Sequence, residues 1–286
     1  MSGLEVLRPG PLTTVQDLGR RGVAHLGVPR AGALDEPALR AANRLTGNAP
    51  GAAALETTLG GVALRALRPL LVAVTGAPAP VRVDGRPAAW GAPVTVPAGA
   101  VVEIGPATHG VRSYLAVAGG IAVPLVLGSR SADVLSGLGP PPLTAGAVLP
   151  VGPEPAPGRL PDLVPLAAPP QELVLRLRPG PRSDWFEPCA EARLARDRYR
   201  VAAASNRVGL RTEGPAVGRA GTGELPSEGM VLGAVQIPPD GQPVVFLADH
   251  PTTGGYPVIG VVPPPDLAAA AQARPGTPVR FVLLRG

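Results

Sequence analysis

The chain has 286 residues, 45% of them hydrophobic and 16% charged, which supplies enough apolar material for one large domain or two of ordinary size and excludes bulk disorder. Its net charge of +5 comes from arginine alone, and the arginines are scattered without interleaved aromatic residues, which argues against a nucleic-acid surface. One cysteine, Cys189, excludes an intramolecular disulfide and a cysteine-based zinc site. With no signal-peptide core and no run of about 18 apolar residues, the expected location is the cytoplasm, with no membrane partner.

The 38 glycines and 39 prolines punctuate short runs of Val, Leu and Ala, the pattern of many short strands joined by tight turns. A strand over 4–7 runs into the turn Arg8-Pro9-Gly10-Pro11. A helix is predicted over 35–45: Asp35 is a fitting N-cap, Pro37 sits in the first turn, and Leu34, Ala38, Ala41, Ala42 and Leu45 recur at helical spacing. Strands follow over 62–67, 70–74, 81–83, 94–96, 101–104 and 111–117, at the ten-residue spacing of an antiparallel barrel or sandwich. Proline then recurs from 153 to 170 too often for a helix or central strand. This divides the chain into a domain over 1–155, a proline-rich linker over 156–170 and a second domain over 171–286. The second domain reads as a strand over 173–177, a helix near 187–198, and strands over 231–237, 244–247, 258–262 and 279–284. The fold class is mainly β with a few short helices. Asn43-Arg44 and Asn206-Arg207, each followed by glycine, hint that the two halves are related.

Four segments carry more polar residues than turns require. In the first, Gln16, Asp17 and Arg20 stand beside Gly19; an amide and a carboxylate can read the edges of a lactam or urea, and an arginine can grip a carboxylate at two points. A turn bridged by an Asp17–Arg20 ion pair is the competing reading. Arg130-Ser131 and Asn206-Arg207 supply anion-binding capacity next to glycines, or serve an interface. Glu228, between Ser227 and Gly229, is a candidate acid or base, or simply orders its loop. Last, Asp249-His250 follows an apolar strand and precedes Thr252-Thr253-Gly254-Gly255-Tyr256, gathering a carboxylate, an imidazole, two hydroxyls and backbone N–H groups that could hold an amide and move protons near neutral pH. Asp249 as a turn cap with a solvated His250 is the alternative. Gln236, in the strand leading into this segment, is grouped with it as a substrate contact.

These segments carry a resemblance. TTVQDLGR, GALD with Asp35, Ala42-Asn43-Arg44-Leu45, Gly47-Asn48, LGSRS, SNRVG and ADHPTTGGYP occur in the order seen in the group formed by the C-subunit of 5-oxoprolinase, also called allophanate hydrolase subunit 2 or KipA-like. The chain is identified as resembling that family from about residue 4 to 281. One departure is Pro251, where many members have glutamine. The resemblance implies two cyclophilin-like β-barrel domains. It also implies work with a KipI-like 5-oxoprolinase B-subunit and a LamB/YcsF-like A-subunit, in opening 5-oxoproline, a small-molecule amide, to L-glutamate at the expense of ATP. From the residues themselves, Asp17, Glu228, Asp249 and His250 are the candidates to act on the substrate. Gln16, Arg20, Asp35, Asn43, Arg130, Ser131, Asn206, Arg207, Gln236 and Thr252, Thr253, Gly254, Gly255 and Tyr256 would bind it. Relatives also act as carboxyltransferase components of urea carboxylase, or bind a KipI-like kinase inhibitor without chemistry of their own.

The residues themselves lack a G-x-x-x-x-G-K-[ST] loop and a G-x-S-x-G elbow, and without lysine the chain cannot carry covalent biotin. The implied ATP is therefore expected to be shared with or supplied by partner proteins. His25, His109 and His250 have no second ligand at metal-binding spacing, so no metal is expected.

Overall fold

The structure, a computed structural model, describes residues 3–156, 158, 160–165, 168–221, 223 and 225–284. It divides into two compact units, Met1–Arg20 with Ala31–Pro169, and Arg21–Arg30 with Pro170–Gly286.

In the first unit, two antiparallel sheets enclose one apolar layer. The six-stranded sheet runs, edge to edge, Val148–Pro150, Gly3–Pro9, Val62–Ala66, Val101–Ile104, Val81–Val83 and Arg86–Ala88. The five-stranded sheet runs Leu12–Gln16, Ala54–Thr58, Arg112–Val117, Leu70–Gly76 and Pro93–Val96. Leu4, Val6 and Leu64 from one sheet meet Leu55, Val72, Val74 and Leu115 from the other in a single buried cluster. The strand Arg112–Val117 is buried at every position because its second face, with Tyr114 and Ala116, lies under helix α1, Glu36–Leu45. A strand covered on both sides reads as a continuous run rather than an alternation.

Helix α1 begins as its sequence dictates. The Asp35 side chain accepts the Ala38 N–H at 3.0 Å, Pro37 lies in the first turn, and Ala38, Leu39, Ala42, Asn43 and Leu45 turn inward.

The second unit is a closed seven-stranded barrel in the order Leu173–Pro179, Val258–Val261, Ala234–Gln236, Val244–Phe246, Gly209–Glu213, Tyr199–Val201 and Pro278–Leu283. It closes through a parallel pairing of its first and last strands, Leu173 opposite Val279 through Leu177 opposite Leu283. Helix α2, Ala190–Arg196, falls within the predicted stretch. Helix α3, Pro264–Gln272, was not predicted, because three successive prolines read as a breaker although the first helical turn tolerates them.

Within the stretch over 156–170, Val164, only 6% exposed, packs against Leu45 and Ala73 of the first unit. Pro157, Arg159, Leu166 and Ala167 lie outside the described residues. The TTVQ part of the first polar segment lies in the edge strand Leu12–Gln16. Asn43 belongs to a helix whereas Asn206 precedes a strand, so those two positions give no sign of duplication. Among the described residues no helix is long and apolar enough to cross a membrane.

Candidate functional site

In the second unit the strand Val244–Phe246 delivers Leu247 to His250 into a tight, buried corner. Asp249 is 0% exposed and faces Arg207 in a two-point clasp, with Nε to Oδ2 at 2.9 Å and Nη2 to Oδ1 at 2.9 Å. The Asp249 N–H also donates to the Arg207 carbonyl at 3.1 Å. The side chains read from the sequence as a catalytic carboxylate and a substrate contact are thus engaged with each other inside the fold. Together they brace the SNRVG turn against the end of the strand. Asn206 has a comparable local task, its Oδ1 accepting the N–H groups of Val208 at 2.8 Å and Gly209 at 3.3 Å.

His250 is 5% exposed, its ring stacked on Phe246 with centroids 5.7 Å apart, and its Nδ1 lies 2.7 Å from the Pro251 carbonyl. A carbonyl only accepts, so Nδ1 carries the proton and the ring is fixed in orientation. The proline at 251 keeps the carbonyl that this contact needs.

Beyond this corner the predicted residues do converge. Glu228–Gly229 pairs with Thr253–Gly254 as a two-stranded ribbon, extended by Met230 N–H to Thr252 O at 2.8 Å and Leu225 N–H to Gly255 O at 3.3 Å. The Gln236 amide donates to the Tyr256 carbonyl at 3.2 Å. A Cβ at Gly254 would stand 2.7 Å from Gln236 Nε2, so a side chain there would displace the Gln236 amide. Gln236 is thus a clamp beneath the ribbon, while Thr253 and Tyr256 remain exposed.

Glu228 forms an ion pair with Arg182, a residue the sequence reading missed because it lies 46 positions away. The hydrogen bond from Arg182 holds the Glu228 carboxyl below its ordinary range. A lowered folded-state value means that the tether is intact above the unfolded value and is lost as pH falls through the folded one. In a carbon-detected NMR titration Glu228 is expected to titrate below the ordinary glutamate value of about 4.3. A midpoint at or above that value would contradict the pairing.

In the first unit the other two motifs fold onto each other. Asp17 Oδ1 accepts from Ser129 Oγ at 2.6 Å, Ser131 Oγ at 2.6 Å and Gly19 N–H at 2.8 Å, and Oδ2 accepts from Arg130 N–H at 2.6 Å. Arg20, 2% exposed, donates from Nε to the Val126 carbonyl at 3.0 Å and from Nη2 to the Ser131 carbonyl at 2.6 Å. Gln16, 0% exposed, donates to Thr14 Oγ1 and the Ala132 carbonyl, each at 3.0 Å. Arg130 donates from Nε to the Val123 carbonyl at 2.8 Å. Gln16, Asp17, Arg20, Arg130 and Ser131 are therefore brought together, but as the internal scaffold of two loops. The Asp17–Arg20 ion-pair reading is replaced by a carboxylate nest made of hydroxyls and backbone N–H groups.

Asp35 and Asn43 are likewise engaged within the fold. Asp35 caps α1, and Asn43 donates to the Ala52 carbonyl at 2.8 Å while accepting from Asn48 at 3.1 Å. A buried cluster that the sequence reading passed over lies beside Asp35. Tyr114 donates to Glu56 at 2.7 Å and accepts the Asp35 N–H at 2.8 Å, Leu34 N–H donates to Glu56 at 3.0 Å, and Arg112 approaches Glu56 at 3.6 Å. Burial, then the charges of Glu56 and Asp35, push the Tyr114 phenol well above its usual range, so it stays a neutral donor. The available signal was a glutamate and an arginine inside strands otherwise made of buried residues.

Both units thus carry folded motifs that match a known group. The model of the carboxyltransferase domain, subdomain A and B, matches residues 26–283, and the chain belongs to this family. Among its relatives, the C-subunit of 5-oxoprolinase from Escherichia coli is 39% identical over 285 residues, covering 98% of this chain and 90% of that protein. The solved structure of TTHA0988 is 40% identical with a TM-score of 0.90, covering 99% of this chain, which spans only 56% of that longer one. The Kluyveromyces lactis urea amidolyase superimposes with a TM-score of 0.91 at 32% identity, covering 99% of this chain and 19% of that chain.

Proposed function

We propose that this chain is one component of a multi-protein hydrolase that opens 5-oxoproline to L-glutamate, with a KipI-like protein and a LamB/YcsF-like protein as partners and ATP as the energy source. The observation that carries the reading is the 39% identity to the C-subunit of E. coli 5-oxoprolinase across 98% of this chain and 90% of that protein. In the reaction, water adds to the lactam carbonyl, the ring C–N bond breaks, and the nitrogen leaves as the amino group of glutamate.

The structure supports a role in recognition and assembly. Its motif carboxylates are engaged within the fold, Asp249 by Arg207 and Asp17 by serine hydroxyls and backbone N–H groups. At the ribbon the accessible polar groups are those of Thr253, Tyr256 and the Arg182–Glu228 pair. They do not fit a triphosphate, which needs several cationic or N–H donors converging on it. Arg182, the cation here, already faces a carboxylate. In this reading ATP is held by the partner proteins.

The fit to urea amidolyase favours one second reading, a carboxyltransferase component acting on biotin carried by another chain. Co-expression separates the two. The chain should co-elute with the KipI-like protein at micromolar concentration, and that complex should not decarboxylate free carboxybiotin. Separate elution, or carboxybiotin turnover, would contradict the hydrolase assignment.

A further inference from the structure

Of the eleven large apolar side chains that stand exposed among the described residues, four fall in one short stretch of the first unit: Leu125 at 55%, Leu127 at 46%, Val134 at 40% and Leu135 at 49%. Scattered singly such residues need no explanation, but gathered on neighbouring loops they mark a contact surface. The only charged residues between 121 and 143 are Arg130 and Asp133, and the stretch's own backbone engages both. Arg130 donates from Nε to the Val123 carbonyl at 2.8 Å, and Asp133, 3% exposed, accepts from Leu135 N–H at 2.9 Å and Ser136 N–H at 3.2 Å.

Both loops are held from below. Arg20 forks between the Val126 carbonyl at 3.0 Å and the Ser131 carbonyl at 2.6 Å, which joins the base of the first loop to the base of the second. The Asp17 carboxylate takes up Ser129, Arg130 and Ser131 between them. The first loop ends in a two-residue turn in which Val126 and Ser129 exchange N–H to carbonyl bonds at 2.8 and 3.2 Å, with Leu127 at φ 51° and Gly128 at φ 79°. A turn that needs positive φ at both central residues favours Asn-Gly, so a leucine there strains the backbone, and its exposed side chain gains nothing from the core. A Cβ added at Gly128, or at Gly137 in the second loop, would meet nothing within 4 Å, so both tips stand clear of the fold. Backbone strain maintained by a buried polar network, with apolar side chains turned to solvent, points to binding.

The convex tips of two copies would face each other across a two-fold axis, so a hollow on a different protein is the better complement. The same fold makes up only 56% of the TTHA0988 chain, so in that protein further polypeptide is tied to it. We propose that these two loops dock the chain onto the KipI-like protein, with Leu125, Leu127, Val134 and Leu135 entering an uncharged apolar hollow of that partner. The proposal rests on the reading of this chain as one component of a multi-protein hydrolase and adds the surface that joins it to the next component.

The test is calorimetric titration of the full chain with the purified KipI-like protein, with sedimentation of the chain alone and melting curves for every variant. Leu127→Asn suits the positive φ and removes the apolar anchor, so it should melt at or above the wild-type temperature yet bind at least about tenfold more weakly. The double variant Leu125→Asp, Leu135→Asp should weaken binding at least about a hundredfold. Leu59→Asp is the matched control: Leu59 is 44% exposed at φ 59°, but it follows the strand Ala54–Thr58 at the end opposite the Ala54–Gln16 pairing that leads into Asp17 and Arg20. It should bind as the wild type does. Folded loop variants with wild-type affinity would overturn this surface and leave the hydrolase reading standing, whereas a wild-type chain that does not bind the KipI-like protein would overturn both. A wild-type chain that self-associates, with the double variant monomeric, would assign the loops to a second copy and overturn the proposal.

Discussion

Asp249→Asn is expected to cost the second unit about 3–5 kcal/mol of stability, the usual penalty for removing one partner of a buried ion pair. Arg207 is 2% exposed and cannot carry its charge to water, and an asparagine would set an N–H₂ against one of the guanidinium N–H groups that the carboxylate now accepts. Arg207→Met should cost a comparable amount, because it leaves the Asp249 carboxylate enclosed. The double variant Arg207→Met, Asp249→Leu should recover most of the loss, since apolar groups of similar volume need no partner. Urea denaturation of the four proteins gives the cycle directly. A loss below about 1 kcal/mol in Asp249→Asn, or a double variant as unstable as the two single losses added together, would show that the clasp does not hold the corner.

Asp17→Ala should destabilise the first unit by a similar amount, about 3–5 kcal/mol. Its carboxylate accepts from two hydroxyls and two backbone N–H groups, and each donor left buried without a partner costs about 1–3 kcal/mol, part of it regained where a hydroxyl turns elsewhere. The damage should be local to the loops that Asp17 joins, so hydrogen exchange should accelerate at Gly19 and Arg130 before it does in the central strand Arg112–Val117. Asp17→Asn should fall between alanine and wild type, because it retains one acceptor oxygen but presents an N–H₂ to existing donors. Unchanged protection at Gly19 and Arg130 in Asp17→Ala would contradict the nest.

What the sequence disclosed, and what it hid, follows from the range of each interaction. Helix α1 was legible because its signals are local: a capping aspartate, a proline in the first turn, and alanines and leucines at helical spacing. Many strands of both units were legible from glycine and proline punctuation, but their pairing was not, and Leu12–Gln16, Ala54–Thr58, Tyr199–Val201 and Gly209–Glu213 were missed because polar or glycine residues interrupt their apolar runs. Helix α3 was missed because Pro263, Pro264 and Pro265 mask an alanine-rich helix whose first turn they occupy. At the site, Asp249 was placed correctly at the end of a strand, but its partner stands 42 positions earlier, and a local reading cannot tell a carboxylate facing a cleft from one clasped by a distant arginine. The same holds for Asp17, three of whose four donors lie more than a hundred positions away. Polar residues that converge in sequence were thus read as ligand contacts, whereas in the fold many of them saturate one another. Arg182, Glu56, Arg112 and Tyr114 drew no attention because each looks ordinary among its neighbours in the chain.

The measurement that bears most directly on the proposed function is ATP-dependent release of L-glutamate from 5-oxoproline, made with this chain alone, with the KipI-like and LamB/YcsF-like partners alone, and with all three together. A recognition component whose motif carboxylates are locked within the fold, and whose accessible groups do not fit a triphosphate, should be nearly inactive by itself. It should nevertheless be required for turnover by the assembled proteins. Robust turnover by the isolated chain, or full activity of the partners without it, would contradict the account.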